Sequence, residues 1–182
     1  MKLLVLYSTH HGQAARIAQH IANTAGNATA CDVRNTPDAQ LDSTDAVVIV
    51  ASVQIGKHSR AVTRFVKRNR ERLNAMRSAF VSVSGAAIED ESRGEAARMA
   101  AEFLRATGWT PTEQLLAGGA FPFTKYNPLL RFCLNRMFAA QGRRLDSHRD
   151  YDFTDWDAVT QFARAFAAHD EKNAAVTNVT AA

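Results

Sequence analysis

The chain has 182 residues, 46% hydrophobic and 22% charged, with 22 Lys and Arg against 18 Asp and Glu for a net charge of +4. Such a chain suits one soluble globular domain with room for a real core. No apolar stretch approaches the ~20 residues of a membrane span, and the run at residues 3–6 is too short for the core of a secretory signal. Cys31 and Cys133 form neither a CxxC pair nor a zinc-ligand spacing, so reduced thiols, a cytosolic setting and no metal are expected.

Apolar runs alternate with helical patterns along the chain. Residues 3–7 are continuous and rich in Val and Leu, as in a strand buried on both faces. Ala14, Ile17, Ala18 and Ile21 follow with helical spacing, and Gly26 is placed to close that helix. Residues 28–33 are a weaker run suited to a sheet edge, and residues 46–51 are a second buried strand. Val62, Phe65, Val66 and Leu73 predict a helix with an Arg/Lys-rich outer face, ahead of a strand at residues 79–83. The next helix is expected over residues 93–107, with Ala97, Ala100, Ala101 and Leu104 inward and Gly108 after it. Trp156, Val159, Phe162, Ala163 and Phe166 mark a last helix with Thr154 as N-cap. Residues 171–182 lack apolar periodicity, so one domain over residues 1–170 with a disordered tail is expected. The β-α-β-α order implies an α/β fold, a parallel sheet with helices on both faces.

Ligands of open parallel sheets sit beyond the carboxyl ends of the strands. The stretch YSTHHGQAARIA, residues 7–18, occupies such a place, directly behind the first strand. A helix starting there offers free N–H groups and the positive end of its dipole. Ser8 and Thr9 add hydroxyls, and Gly12 lets backbone approach an anion closely. The turn lacks both the Walker lysine and a GxGxxG pattern. A plain tight turn with incidental polar residues is the competing reading. His10 and His11 are adjacent and cannot project in one direction, so a metal pair is not expected and at least one should face solvent.

Residues 121–149, FPFTKYNPLLRFCLNRMFAAQGRRLDSHR, exceed a minimal five-strand fold. Lys125, Arg131, Arg136, Arg143, Arg144 and Arg149 face a single acid, Asp146, for a net of +5 that leaves the rest of the chain at −1. Pro128 suits a first helical turn. Leu130, Cys133, Leu134 and Met137 fall on one side and Asn127, Arg131 and Asn135 on the other, with Phe132 and Phe138 widening the apolar surface and Gly142 ending the helix. Such a helix either rests in a membrane interface, pairs arginines with carboxylates or phosphates, or packs on the sheet with a solvated basic side. No nucleic-acid recognition motif accompanies it.

The pattern Val5-Leu6-Tyr7-x-Thr9-x-x-Gly12, followed by Ala18 and Ile21, resembles the flavodoxin signature around the phosphate of flavin mononucleotide (FMN). One position departs, since Ala14 stands where that family usually has threonine, a loss of about 0.5–1.5 kcal/mol of phosphate binding if uncompensated. The resemblance implies a flavodoxin-like five-stranded parallel sheet in order 2-1-3-4-5 with the insertion near the last strand. It implies FMN contacts from Ser8, Thr9, His10, His11, Gly12 and Gln13. A second loop, Ala51, Ser52, Val53, Gln54, Ile55 and Gly56, and a third, Ser84, Gly85, Ala86 and Ala87, would flank the isoalloxazine ring. Neither offers the Trp or Tyr with which many flavodoxins sandwich the ring, so one flavin face would be open to a large substrate.

The segments LYSTHHGQAARIA, VVIVASVQIGKHS, FVKRNRERLNAMRSAFVSV and FTDWDAVTQFARAFA, together with the basic insertion, resemble the menaquinone-dependent protoporphyrinogen oxidases of bacterial haem synthesis over residues 1–168. That resemblance implies oxidation of protoporphyrinogen IX, with a membrane quinone (menaquinone or ubiquinone) as acceptor. It places the protein peripherally on the anionic inner face of the bacterial plasma membrane. The redox chemistry would belong to FMN, and no residue stands out as an acid or base, His10, His11 and His58 included. Lys125, Arg131, Arg136, Arg143 and Arg144 are the expected contacts to substrate propionates or lipid. Three alternatives remain: a flavodoxin-type electron carrier, an NAD(P)H-dependent quinone reductase, and a membrane module that has lost its flavin.

Overall fold

Successive side chains of a strand face opposite sides, so strands built only of apolar residues need cover on both. The computed structural model describes residues 2–140, 142–143 and 145–179. Its first half runs β1 (Leu3–Ser8), α1 (Gln13–Ala25), β2 (Ala28–Asp32), β3 (Ala46–Gln54), a short β4 (Lys57–His58), α2 (Arg60–Arg68), α3 (Arg70–Ala75) and β5 (Arg77–Ser84). The second half runs α4 (Asp90–Thr107), β6 (Glu113–Gly118), β7 (Ala120–Phe121), α5 (Pro128–Ala140), β8 (Tyr151–Asp152) and α6 (Trp156–Val179). Five strands pair in parallel in the order β2-β1-β3-β5-β6, and β4 folds back antiparallel on the end of β3. Counting only the five long strands, this is the expected order 2-1-3-4-5, with β2 at the edge.

The cores follow the alternation. Leu3, Val5, Ala46, Val48, Val50, Ala79 and Val81 face α1 and α6, where Ile17, Ile21, Val159, Ala163 and Phe166 meet them. Leu4, Leu6, Val47, Ile49 and Phe80 face the other way, onto Val62, Phe65, Leu73, Phe103 and Trp109. The chain leaves β1 toward β2 on one side and returns to β3 on the other. This reversal opens a crevice at the carboxyl ends of β1 and β3.

Local expectations shift in five places. The single basic helix is two, broken at Asn69 (φ −105°, ψ 14°), whose amide bonds Asp38 Oδ1 at 2.8 Å and Phe65 O at 3.1 Å. The buried stripe of α4 is Ala96, Met99, Ala100, Phe103 and Thr107, while Ala97 and Ala101 face solvent. The larger Met99 and Phe103 decide which way the helix turns, because each removes more surface from water than an alanine does. Thr154 does not cap α6. Asp155 does, its Oδ1 accepting the Ala158 amide at 2.9 Å. The helix then continues to Val179 where a tail from residue 171 was expected; alanines at 174 and 175 are strong helix formers, and residues 180–182 lie outside the described residues. On α5, Leu130 and Cys133 face solvent while Arg131, Asn135 and Phe138 turn inward; the Met137 side chain lies outside the described residues.

His58, near the predicted flavin loops in sequence, is a core residue. It packs against Phe80 and Phe103 with ring centroids 5.3 and 4.7 Å away, and its Nε2 lies 3.0 Å from Ser82 Oγ. Burial pushes its pKa from 6.5 down to about 4. The folded chain therefore keeps it neutral where an unfolded chain would protonate it. This contribution is complete above about pH 6.5 and declines as pH falls toward 4, with a slope of up to about 1.4 kcal/mol per unit. Asp32 and Asp38, held low first by hydrogen bonds from Arg34 and Arg68, act only below that window. Urea unfolding at pH 7.5 and 4.5 should show the decline in wild type and a smaller one in His58→Gln. Equal declines would exonerate His58.

Candidate functional site

Helix α1 begins without a side-chain cap. Gly12 holds the N-cap position at φ 92°, in the left-handed region that glycine alone adopts freely. The first intrahelical bond is Arg16 N–H to Gly12 O at 3.0 Å, so the amides of Gln13, Ala14 and Ala15 precede any intrahelical acceptor. These donors, with the helix dipole, suit an anion. Thr9 Oγ1 accepts the Gly12 amide at 2.9 Å, which curls the loop and leaves the hydroxyl hydrogen to donate. Ser8 is turned away, its Oγ 2.6 Å from Ser59 Oγ. Ala14 is fully buried in the α1-side core, so the position of the usual threonine is filled by a packing methyl.

Beside this turn lies a cavity of about 400 Å³, within the range of cofactor sites. Its walls join Thr9, His10, His11 and Gln13 to Ser52, Val53, Gln54 and Ile55 at the end of β3 and to Ser84 and Gly85 at the end of β5. All three loops selected from sequence therefore meet. Ser8, Gly12, Ala51, Gly56, Ala86 and Ala87 lie outside that wall: Ala51 belongs to the α2-side core, and residues Gly85–Ala87 wind a 3-10 turn that buries Ala87. Ser84 Oγ is the wall atom that asks for a ligand, since the residue is 4% exposed and the oxygen has no hydrogen-bond partner among the described residues.

A fourth wall went unread in the sequence. Gly119, Ala120 and Phe121 close one side, and Tyr126, Leu130 and Leu134 stand over the opening. The aromatic rings missing from the loops after β3 and β5 come instead from the insertion. The one signal for this was the aromatic density of FPFTKY. His11 packs edge-on against Tyr126 with centroids 4.9 Å apart, and His10 stands perpendicular to it at 4.6 Å; both are exposed, where at least one was expected to be. Burial, then the charges of His10 and Lys125, lower the His11 pKa, and burial raises that of the Tyr126 phenol.

The insertion has its own small core of Phe123, Tyr126 and Phe138, flanked by Phe121, Leu134, Tyr151 and Phe153. It is rooted on the β7–β8 pair, Phe121 opposite Tyr151. A Cβ on Gly118 would collide with the Phe153 carbonyl, so β6 and the returning chain approach as only glycine permits. A polar clamp ties this root to α1. Gln13 Nε2 donates to Asp152 Oδ1 at 3.0 Å and to Thr154 Oγ1 at 2.5 Å, and Gln13 Oε1 accepts from Arg16 at 2.9 Å. Arg16 also pairs with Asp152 at 3.0 Å, and Thr154 Oγ1 donates to Gly118 O at 3.0 Å. The Gln13 side chain, expected at the cofactor, is thus spent on the clamp.

Two expected contact arginines are likewise committed internally. Arg131 donates to the carbonyls of Tyr126 and Thr124, both at 2.9 Å. Arg143 pairs with Glu89 and lies 5.3 Å over the Phe153 ring. Arg144 lies outside the described residues. Lys125 and Arg136 are exposed. A cation the sequence did not flag, Arg34, lines a side recess of about 150 Å³ with Ser8, Thr9, Ser52 and Ser59. Its fork on Asp32 (2.6–3.2 Å) uses Nε and Nη2.

The fold and crevice are those of a flavodoxin domain, and residues 4–148 match that family. The oxidised Flavodoxin 1 of Bacillus cereus superposes with a TM-score of 0.56 at 16% identity, covering 93% of this chain and 99% of that one. The Streptococcus pneumonia TIGR4 flavodoxin gives 0.53 at 12% identity, covering 92% and 98%. Among curated proteins, the protoporphyrinogen IX dehydrogenase [quinone] of Escherichia coli strain K12 is 33% identical over 172 residues, 92% of this chain and 95% of its own length. The protein of that name from Leishmania major is 32% identical over 173 residues, 92% of this chain and 75% of its own length. The chain belongs to this family of flavodoxin-domain oxidoreductases, the protoporphyrinogen IX dehydrogenases [quinone].

The clamp is testable. Gln13→Leu removes the amide but keeps most of the volume, stranding the Thr154 and Asp152 partners. Urea unfolding should show a loss of about 1–3 kcal/mol, and limited proteolysis should reach residues 121–151 sooner. An unchanged proteolytic rate there would mean that the insertion does not depend on the clamp.

Proposed function

We propose that this chain binds FMN and oxidises protoporphyrinogen IX to protoporphyrin IX, passing the electrons to a quinone at the inner face of the cytoplasmic membrane. The observation that carries this reading is the cavity wall, where Ser84, whose buried hydroxyl has no partner among the described residues, and Gln13, at the uncapped start of α1, line one space. Bound there, FMN would supply the two-electron redox chemistry.

The remaining roles fall to the chain's own residues. The amides of Gln13, Ala14 and Ala15, with the Thr9 hydroxyl, hold the phosphate and stand in for the hydroxyl lost at Ala14. Ser52, Val53 and Gln54 flank the ring on one side and Ser84 and Gly85 on the other, with Ser84 Oγ bonding a polar ring edge. Phe121, Tyr126, Leu130 and Leu134 offer apolar cover to a large macrocycle and keep water from it. Lys125 and Arg136, exposed and without an ion pair among the described residues, would meet propionate carboxylates, since Arg131 and Arg143 already have partners. Among the described residues no helix is long and apolar enough to cross a membrane, which fits attachment at a surface.

Purified anaerobically with FMN, the protein should form porphyrin continuously when a menaquinone analogue takes up the six electrons that each porphyrinogen loses, and without it oxidation should stop once each flavin has accepted two. Absence of porphyrin, or fast flavin reduction by NADH or NADPH instead, would overturn the assignment. Lys125→Gln with Arg136→Gln should raise KM for porphyrinogen about two- to fivefold and leave FMN affinity, read by fluorescence quenching, unchanged.

A further inference from the structure

The two-residue turn joining β3 to β4 places Ile55 at φ 47° and Gly56 at φ 73°. A β-branched residue in the left-handed region is strained, and Asn or Gly is the usual solution. Ile55 is also 102% exposed. Local stability therefore argues against isoleucine twice, by backbone and by solvation, at a tip on the rim of the cavity.

Across the same opening, α5 presents a matching surface. Leu129 is 73% and Phe132 62% exposed, and they sit one turn apart on one face that ends in the exposed Arg136. Leu130, also exposed, reaches the same cavity as Ile55, so the two elements flank one mouth.

Cations back the hairpin as they back the insertion. Residues 57–77 hold eight Lys and Arg against Glu71 alone, a net of +7 that the −1 of the chain outside the insertion conceals. Arg68, Arg72 and Arg77 are paired with Asp38, Asp42 and Glu113, and Arg70 lies 3.7 Å from Glu71. Lys57, Arg60, Arg64 and Lys67 are exposed and have no ion pair among the described residues. Arg60, Arg64 and Lys67 recur at i, i+4 and i+7, a stripe opposite the buried Val62, Phe65 and Val66 that starts beside the hairpin.

We propose that the β3–β4 hairpin is a second membrane foot. Ile55 enters the acyl boundary of an anionic bilayer while Lys57, Arg60 and Arg64 contact lipid phosphates, and α5 makes the other foot with Leu129 and Phe132. Apolar side chains ringed by Lys and Arg are the composition that holds a protein in the interface plane. Two feet astride the mouth turn the cavity toward the bilayer, so a lipid-borne reactant enters without crossing water. This rests on the quinone reading of the site, and charge complementarity selects an anionic lipid surface over a neutral one.

The test is co-sedimentation of the FMN-loaded protein with vesicles of phosphatidylcholine, alone or with phosphatidylglycerol. Wild type should partition onto the anionic vesicles and release with salt. Ile55→Asn, which relieves the backbone strain and should not lower the melting temperature, should reduce partitioning about tenfold. The triple variant Lys57→Gln, Arg60→Gln, Arg64→Gln should reduce it about a hundredfold at low salt and flatten the salt dependence, with FMN affinity unchanged. Wild-type partitioning by Ile55→Asn, or loss of FMN from it with vesicle binding intact, would overturn the proposal. So would an unaltered triple variant, which would leave an acidic protein as the stripe's partner. Porphyrinogen oxidation in detergent with a soluble quinone tests the site itself, so failure there is separable from failure of the membrane foot.

Discussion

The amide of Gln13 is the joint on which the site depends. One buried side chain ends the first loop, begins α1, and reaches across 139 residues of sequence to Asp152. Beside it, the insertion is tied to the rest of the domain by the short β7–β8 pair, the contact at Gly118, the Arg143–Glu89 pair and the His11–Tyr126 ring contact. With it, the turn whose amides suit an anion and the segment that roofs the cavity become one unit. Buried polar groups are costly unless all their bonds are made. Here the set closes, because Gln13, Arg16, Asp152 and Thr154 satisfy one another and Thr154 passes the last hydrogen to Gly118 O.

The same economy explains the insertion's charges. Arginine's planar fork suits carbonyls and carboxylates held at fixed geometry. Arg131 and Arg143 use it inward, on the turn before α5 and on Glu89 at the head of α4. They hold the roof, leaving Lys125, Arg136 and Arg149 as exposed insertion cations among the described residues. A net charge counted along a segment therefore overstates what a partner would meet.

Much of the fold was legible because it follows from period and composition. Residues 3–6 of β1 and 46–51 of β3 are apolar without alternation, which only a sheet covered on both faces explains. The loops after them were legible as ligand positions because parallel strands all end on the same side. The insertion was visible as extra chain, but the face of α5 was not. Leu130 and Cys133 read as the buried side, yet Phe138, with Arg131 beside it, decided the rotation once the aromatic cluster of Phe121, Phe123, Tyr151 and Phe153 had formed around it. His58 likewise read as a loop histidine, since no local pattern shows that β4 folds its ring onto Phe80 and Phe103.

The sequence by itself determined the layer architecture and the strand-to-helix turn at Gly12, because these depend on near neighbours and on a repeating pattern. Only tertiary structure decided that Gln13 serves the clamp, that Ser84 Oγ is buried with no hydrogen-bond partner among the described residues, and that Ile55 and Leu130 stand at one mouth. Each of those rests on contacts between segments far apart in the chain. Their pairing is selected by shape and by the free energy of closing buried hydrogen bonds, neither of which is written in local periodicity.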